Sequence, residues 1–198
     1  MAYNKTKNER ATSPKGIAQY PHVQTPDTKF DADGKYTLNL RLAGDVAESF
    51  VAMLEEKHTT YYDEFCEREG TALKKGNLPL KEVESSTDGE IDIKFGLKAV
   101  GRKGDHTWEQ RPLIFDSAMN PITGDKLDKM RIGSGTSCRV GYEIVPYHTG
   151  MVGMGLSLRL KAVQIIDLVE YDLAGSGFAF EAEAGFVSDD TVEITTEF

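Results

Sequence analysis

The chain is poor in the residues that staple small secreted or metal-dependent domains. Its two cysteines, Cys66 and Cys138, lie far apart and outside any Cys-x-x-Cys or Cys/His ligand spacing, and its four histidines, His22, His58, His106 and His148, stand singly. Neither a disulfide framework nor a zinc site is indicated. Long apolar runs are missing too. The opening Met1-Ala2-Tyr3-Asn4-Lys5 is polar and basic, and no later stretch approaches the length that crosses a bilayer. A soluble, intracellular protein with no membrane contact is expected. A third absence says more. No lysine or arginine follows Lys161, whereas nine acids do: Asp167, Glu170, Asp172, Glu181, Glu183, Asp189, Asp190, Glu193 and Glu197. The residues up to Lys161 hold 23 acids and 23 bases, so the net charge of −9 belongs entirely to the C-terminal segment. The resulting pI near 5.0 would ordinarily argue against a polyanionic partner. Here it is an average that conceals a neutral body whose bases can gather on one face.

What is present is a set of short strands. A chain of 198 residues, 39% of them hydrophobic, supports one sizeable core with appendages. In Tyr36-Thr37-Leu38-Asn39-Leu40-Arg41-Leu42 the even positions are apolar and the odd ones polar, the period of a half-buried strand. It follows Asp31-Ala32-Asp33-Gly34, a reversal with the Asp-Gly chemistry of tight turns. Further strands are read at 91–98, 138–145 and 155–161, with shorter candidates at 17–23, 112–115 and 163–169. One long amphipathic helix is read at 45–69, where Val46, Phe50, Met53, Leu54, Tyr61 and Phe65 recur at helical spacing. Asp45 is the expected N-cap, with Glu48 completing a capping box, and Gly70 the expected C-terminal stop. No internal repeat is visible, which excludes propellers and solenoids. Many short antiparallel strands with one helix leave a small, partly closed barrel or a sandwich.

Catalytic signals are weak. Gly133-Ser134-Gly135 resembles a fragment of a phosphate-cradling loop, but a strand follows it rather than a Lys-Thr pair and a helix. The paired carboxylates Glu55-Glu56 and Asp63-Glu64 fall on the polar side or end of the helix, and Asp189-Asp190 lies in the tail, so solvation accounts for them. No enzymatic activity and no cofactor are expected.

Several stretches, in matching order, resemble the tailed-phage replication single-stranded DNA-binding proteins. Gly34-Lys35-Tyr36-Thr37-Leu38-Asn39-Leu40 precedes a long helix, and Gly76-Asn77-Leu78-Pro79-Leu80-Lys81 follows it with Lys74 and Lys75 just upstream. Ile132-Gly133-Ser134-Gly135-Thr136 leads into a strand ending Glu143-Ile144-Val145-Pro146-Tyr147, then comes a glycine-containing turn and a strand pair at about 155–168. The chain closes on an acidic tail ending Glu197-Phe198. The resemblance covers residues from about 20 to the end, and its weight lies in the order of the motifs and in the tail.

The resemblance implies an OB-fold, a partly open five-stranded antiparallel barrel with extra strands. It divides the chain into a flexible basic arm at 1–16, a DNA-binding domain at 17–173 and an acidic tail at 174–198. It also implies sequence-tolerant binding of single strands in phage replication and recombination, with bases stacked on aromatic rings and phosphates neutralised by lysine and arginine. The residues that fit this role are Lys94, Lys98, Arg139, Arg159 and Lys161 on strands, opposite the apolar side. Lys74 and Lys75 follow the helix, and Arg102 and Lys103 occupy a hairpin tip with Gly101 and Gly104. Tyr147, at a strand end, and Trp108, near Arg111, are the stacking candidates, with Tyr20 and Phe30 about Lys29 behind them. Tyr36, Phe50, Phe65 and Tyr142 are assigned to the core. In the resembled family the tail mimics the polyanion and is released to contact the phage polymerase and helicase or primase. Here that role falls to Asp189, Asp190, Glu193, Glu197 and Phe198, although Val187, Val192 and Ile194 dilute the acids. A homodimer and a location in the cytoplasm of the infected host complete the expectation. The rival reading is a non-enzymatic protein-binding adaptor or virion structural protein, and it is favoured if the basic residues do not converge.

Overall fold

A computed structural model of the chain describes residues 8–29, 31–83 and 89–170. The tail residues Asp189, Asp190, Glu193, Glu197 and Phe198, and also Phe30, lie outside the described residues. In chain order the elements are β1 (Arg10–Thr12), β2 (Gly16–Asp27), β3 (Lys35–Leu42), α1 (Gly44–Glu69), β4 (Leu80–Glu82), β5 (Ile91–Lys98), β6 (Val100–Lys103), β7 (His106–Glu109), β8 (Leu113–Phe115), α2 (Asp125–Lys129), β9 (Ser137–Thr149) and β10 (Gly153–Asp167).

Five strands close on themselves. β2 pairs β3, β3 pairs β5, β5 pairs β10, β10 pairs β9 and β9 returns to β2. This is a mainly β, OB-type barrel with one long helix. All pairs of the ring are antiparallel except β5–β10, which is parallel and registered at Leu158–Phe95 and Arg159–Gly96. The odd pair follows from parity: a closed ring of five strands cannot alternate in direction throughout, so one junction must be parallel. β1, β4 and β8 extend the sheet outside the ring, and β6–β7 forms a separate two-stranded hairpin.

Alternation in sequence becomes alternation in depth. Tyr36, Leu38, Leu40 and Leu42 of β3 are buried, as are Ile93, Phe95 and Leu97 of β5 and Leu156, Leu158 and Leu160 of β10. Full burial of each such side chain contributes about 1.5–3 kcal/mol. Tyr142 fills the middle of the barrel, its ring centroid 5.2 Å from Phe95 and 6.2 Å from Phe50. Helix α1 closes one side through Ala47, Phe50, Leu54 and His58, with Phe65 partly buried against the same core. Val46 is 47% exposed, so the buried stripe starts one residue later than the apolar pattern suggests. His58 replaces an apolar residue in that stripe, its Nε2 2.9 Å from the Met154 carbonyl.

Two helix-end expectations separate here. Gly70 ends α1 in the left-handed conformation, at φ 67°, as a glycine stop requires. Asp45 does not cap: the N-cap is Ala43, with no side-chain hydrogen bond, and Asp45 sits in the first turn, where its charge faces the helix dipole. The stretch read as an arm also contributes to the sheet. Arg10–Thr12 pairs β9, the Ile144 N–H donates to the Glu9 carbonyl, and Ser13 exchanges hydrogen bonds with Val140. Lys57 Nζ on α1 reaches Glu9 at 2.9 Å. Three residues of strand are too short to show a period, which is why the sequence concealed this strap.

Candidate functional site

The outer face of β3, β5, β10 and β9 carries the polar half of the alternation. Across β3–β5 the register sets Lys35 opposite Lys98, Thr37 opposite Gly96 and Asn39 opposite Lys94. Like charges directly opposite each other are destabilising, so the Lys35–Lys98 pair favours an anion between them. Arg159 of β10 is registered with Gly96, and the Lys35 side chain leans over that glycine: a Cβ at Gly96 would lie 2.8 Å from Lys35 Cε.

These residues line a groove of about 570 Å3 between the barrel face and the β6–β7 hairpin. Its basic side chains are Lys35, Lys98, Arg102, Lys103, Arg159 and Lys161, with Trp108 on the hairpin, and no carboxylate lines it among the described residues. A second hollow of about 350 Å3 continues it, sharing Lys35, Gly96 and Ser157 and adding Lys94, Asn39, Asn77 and Tyr147.

Glycine sets the two aromatic rings. Gly101 faces Trp108 across β6–β7, and a Cβ there would clash with the nearest atoms of the indole ring. Tyr147 faces Gly155 across β9–β10, where a Cβ would come within 2.7 Å of the phenol oxygen. Each ring therefore lies over bare backbone. Trp108 is 45% exposed, and its Nε1 lies 3.4 Å from Gln110 Oε1, while Gln110 Nε2 donates to the Lys98 carbonyl at 2.9 Å. Gln110 thereby ties the ring to the barrel.

Beside the groove, Glu143 accepts from Arg10 Nε at 3.1 Å and from Arg159 Nη1 at 3.3 Å. Burial pushes its carboxyl up, but the Arg10 hydrogen bond and the charges of Lys161, Arg159 and Arg10 outweigh that and hold it below its usual range. Arg102 forms a two-point pair with Asp33, both contacts at 2.7 Å, which anchors the hairpin to the β2–β3 turn.

The structure thus brings together Lys94, Lys98, Arg102, Lys103, Trp108, Tyr147, Arg159 and Lys161. Arg102 and Lys103 lie on β6, and the turn itself is Gly104-Asp105. Four other candidates lie elsewhere. Lys74 Nζ is bound to the Met151 carbonyl at 3.1 Å, and Lys75 Nζ points at α1, 3.4 Å from Thr59 Oγ1 and 5.6 Å from the Tyr62 ring centre. Arg111 borders a hollow with Pro26 and Tyr36, and Arg139 an apolar cleft between β1 and α1. Sequence reasoning missed Lys35. The signal was present, since extending the alternation of β3 by one residue puts Lys35 on the face of Thr37 and Asn39.

No family model and no curated protein sequence matches the chain. Solved structures do. The crystal structure of gp2.5, a single-stranded DNA-binding protein encoded by bacteriophage T7, superposes with a TM-score of 0.70 at 23% identity, covering 92% of this chain and 100% of that one. The single-stranded DNA-binding protein of bacteriophage Enc34 in complex with single-stranded DNA gives a TM-score of 0.59 at 15% identity, covering 81% of this chain and 88% of that one. Without DNA, the Enc34 protein gives 0.56 at 14%, covering 85% of each. At these identities what is shared is the fold.

Proposed function

We propose that this chain, built on the fold of phage single-stranded DNA-binding proteins, binds single-stranded DNA without sequence preference in the groove between its barrel face and the β6–β7 hairpin. The observation that carries the reading is the groove lining: Lys35, Lys98, Lys103 and Lys161, the paired Arg102 and Arg159, one half-exposed indole and no carboxylate among the described residues. Lysines and arginines neutralise phosphates, while Trp108 and Tyr147 offer rings to unpaired bases, which every base can use. Stacking requires unpaired bases, so single strands are preferred to duplex. The protein has no enzymatic role in this reading and acts in phage replication and recombination inside the infected host.

The acidic tail at 174–198 competes with DNA for the basic groove and, through Phe198, recruits the polymerase and the helicase or primase. The order of charge along the chain supports this part. The decisive experiment is oligo-dT affinity as a function of salt. The logarithm of affinity should fall linearly with the logarithm of salt concentration, with a slope of about −0.7 per phosphate contacted. A flat dependence, or no binding at low salt, would return the protein to the class of protein-binding adaptors.

A further inference from the structure

Strand β2 is interrupted where its sequence forbids a regular ladder. Pro21 has no N–H to donate, and the β2–β3 register slips between Gln19–Asn39 and His22–Thr37. At the slip Tyr20 takes φ 49°, a left-handed conformation that residues with a Cβ avoid. It does so immediately before a proline, which narrows its choices further. The Tyr20 N–H leaves the ladder and donates to Ser134 Oγ at 2.9 Å. Ser134 belongs to the Gly133-Ser134-Gly135 turn, which no phosphate-loop reading could use. The same turn clasps β2 at Ala18, whose carbonyl accepts from the Gly135 N–H at 2.9 Å and whose N–H donates to the Thr136 carbonyl at 2.8 Å. Residues far apart in sequence thus hold a conformation that the local chain disfavours.

The outcome is an aromatic ring in solvent. Tyr20 is 72% exposed, so the strained backbone is not repaid by core packing. Bulges re-aim side chains, and strain of this kind collects at functional positions. Tyr20 belongs to the strand next to Thr37 and Asn39, which line the groove. β9 pairs β2 at Gly16–Cys138 and Ile17–Ser137, beside Tyr20, whereas Tyr147 lies far along the same strand, roughly 33 Å of extended chain beyond Ser137. One base cannot touch both Tyr20 and Tyr147. The nearby Arg41 is met by two carboxylates, Asp92 at 2.8 and 3.1 Å and Glu90 at 3.9 Å, so what this margin presents to a strand is a ring more than the charge of Arg41.

We propose that Tyr20 is a base-stacking platform at the β2 margin of the groove, presented by the Pro21 bulge and the Ser134 clasp, and that it lengthens the path of the bound strand beyond Thr37 and Asn39. This rests on the reading of the groove as a single-strand site. The test compares oligo-dT of about 6 and about 16 nucleotides, within the range of OB-fold site sizes, on the full-length protein and on Tyr20→Gly and Tyr20→Phe. Glycine accepts φ 49° without strain, so Tyr20→Gly should fold with an unchanged or higher Tm. Its affinity for the long oligonucleotide should fall between about five- and 150-fold, while the short one, held where the cations are densest, loses little. Tyr20→Phe should keep both affinities, and the salt slope should not move. Undiminished long-strand binding in Tyr20→Gly would overturn the proposal. So would an equal loss on both lengths, which makes Tyr20 a structural residue. If the wild-type protein binds neither oligonucleotide, the functional reading itself fails, an outcome distinct from the other two.

Discussion

Glu143 is buried beside the groove, where it orients Arg159 and holds the N-terminal strand through Arg10. Its depressed carboxyl has a definite sign in stability: the contribution is fully present above the unfolded value of 4.5 and is lost as pH falls through the lower folded value. Glu143→Gln should therefore lower the urea midpoint at pH 7, by the equivalent of about 1–3 kcal/mol. The gap between the two proteins should begin to narrow as pH falls past 4.5 and close only below the lower folded value, and a gap that stays constant with pH would contradict the ion-pair account. The stacking rings give a second residue-scale expectation. Tyr147→Ala should weaken single-strand binding by about 1–3 kcal/mol, and Gly101→Ala, which evicts the indole, should weaken it without touching the barrel core. Titration on oligo-dT with parallel melts checks both, and a melt collapsing with the affinity would make either residue structural. At this scale Lys94, Lys98, Arg159 and Lys161 were legible, because alternation fixes which side of a strand a residue takes. Lys74, Lys75, Arg111 and Arg139 were not, because alternation says nothing of where a sheet curls or which neighbour captures a long side chain.

Among the elements, the β6–β7 hairpin stands apart from the barrel sheet and is fastened to it by Arg102–Asp33 and by Gln110. Replacing residues 101–108 by a short turn should leave the barrel folded, with Tm lowered by less than about 4 °C, the shift that 1 kcal/mol produces in a domain of this size. Single-strand affinity should drop with the loss of Arg102, Lys103 and Trp108. Calorimetry alongside the titration checks this, and a melt that falls with the affinity would mean the hairpin is part of the core. Elements were read from sequence in proportion to their regularity. β5 was bounded at both ends because Ile91 to Lys98 alternates throughout. β10 was read as two strands because the register shift between Leu160 and Ala162 breaks its period. β1 and β4, three residues each, have no period to read, and the pairing β5–β10 depends on closure of the whole ring.

For the molecule as a whole, charge is divided along the chain. Deleting residues 185–198 removes Asp189, Asp190, Glu193 and Glu197 and should raise single-strand affinity, most clearly at low salt, since screening at about 0.15 M shortens the reach of exposed charges to roughly 8 Å. Deleting Phe198 alone should leave DNA affinity nearly unchanged and weaken partner binding; filter binding and pull-down separate the two effects. The barrel's one parallel junction has a consequence of its own. β5 and β10 meet at Leu158–Phe95 and Arg159–Gly96, a short seam beside the long β9–β10 ladder. The groove runs over that seam, with Lys94 and Lys98 on one bank and Arg159 and Lys161 on the other. A polyanion lying across it would act as a suture, joining by charge two banks that the backbone joins at only two registered pairs. Amide exchange at Gly96 and Arg159 should then slow on binding more than exchange along β9, and the two strands of this seam should separate under load less readily with a single strand bound than without one.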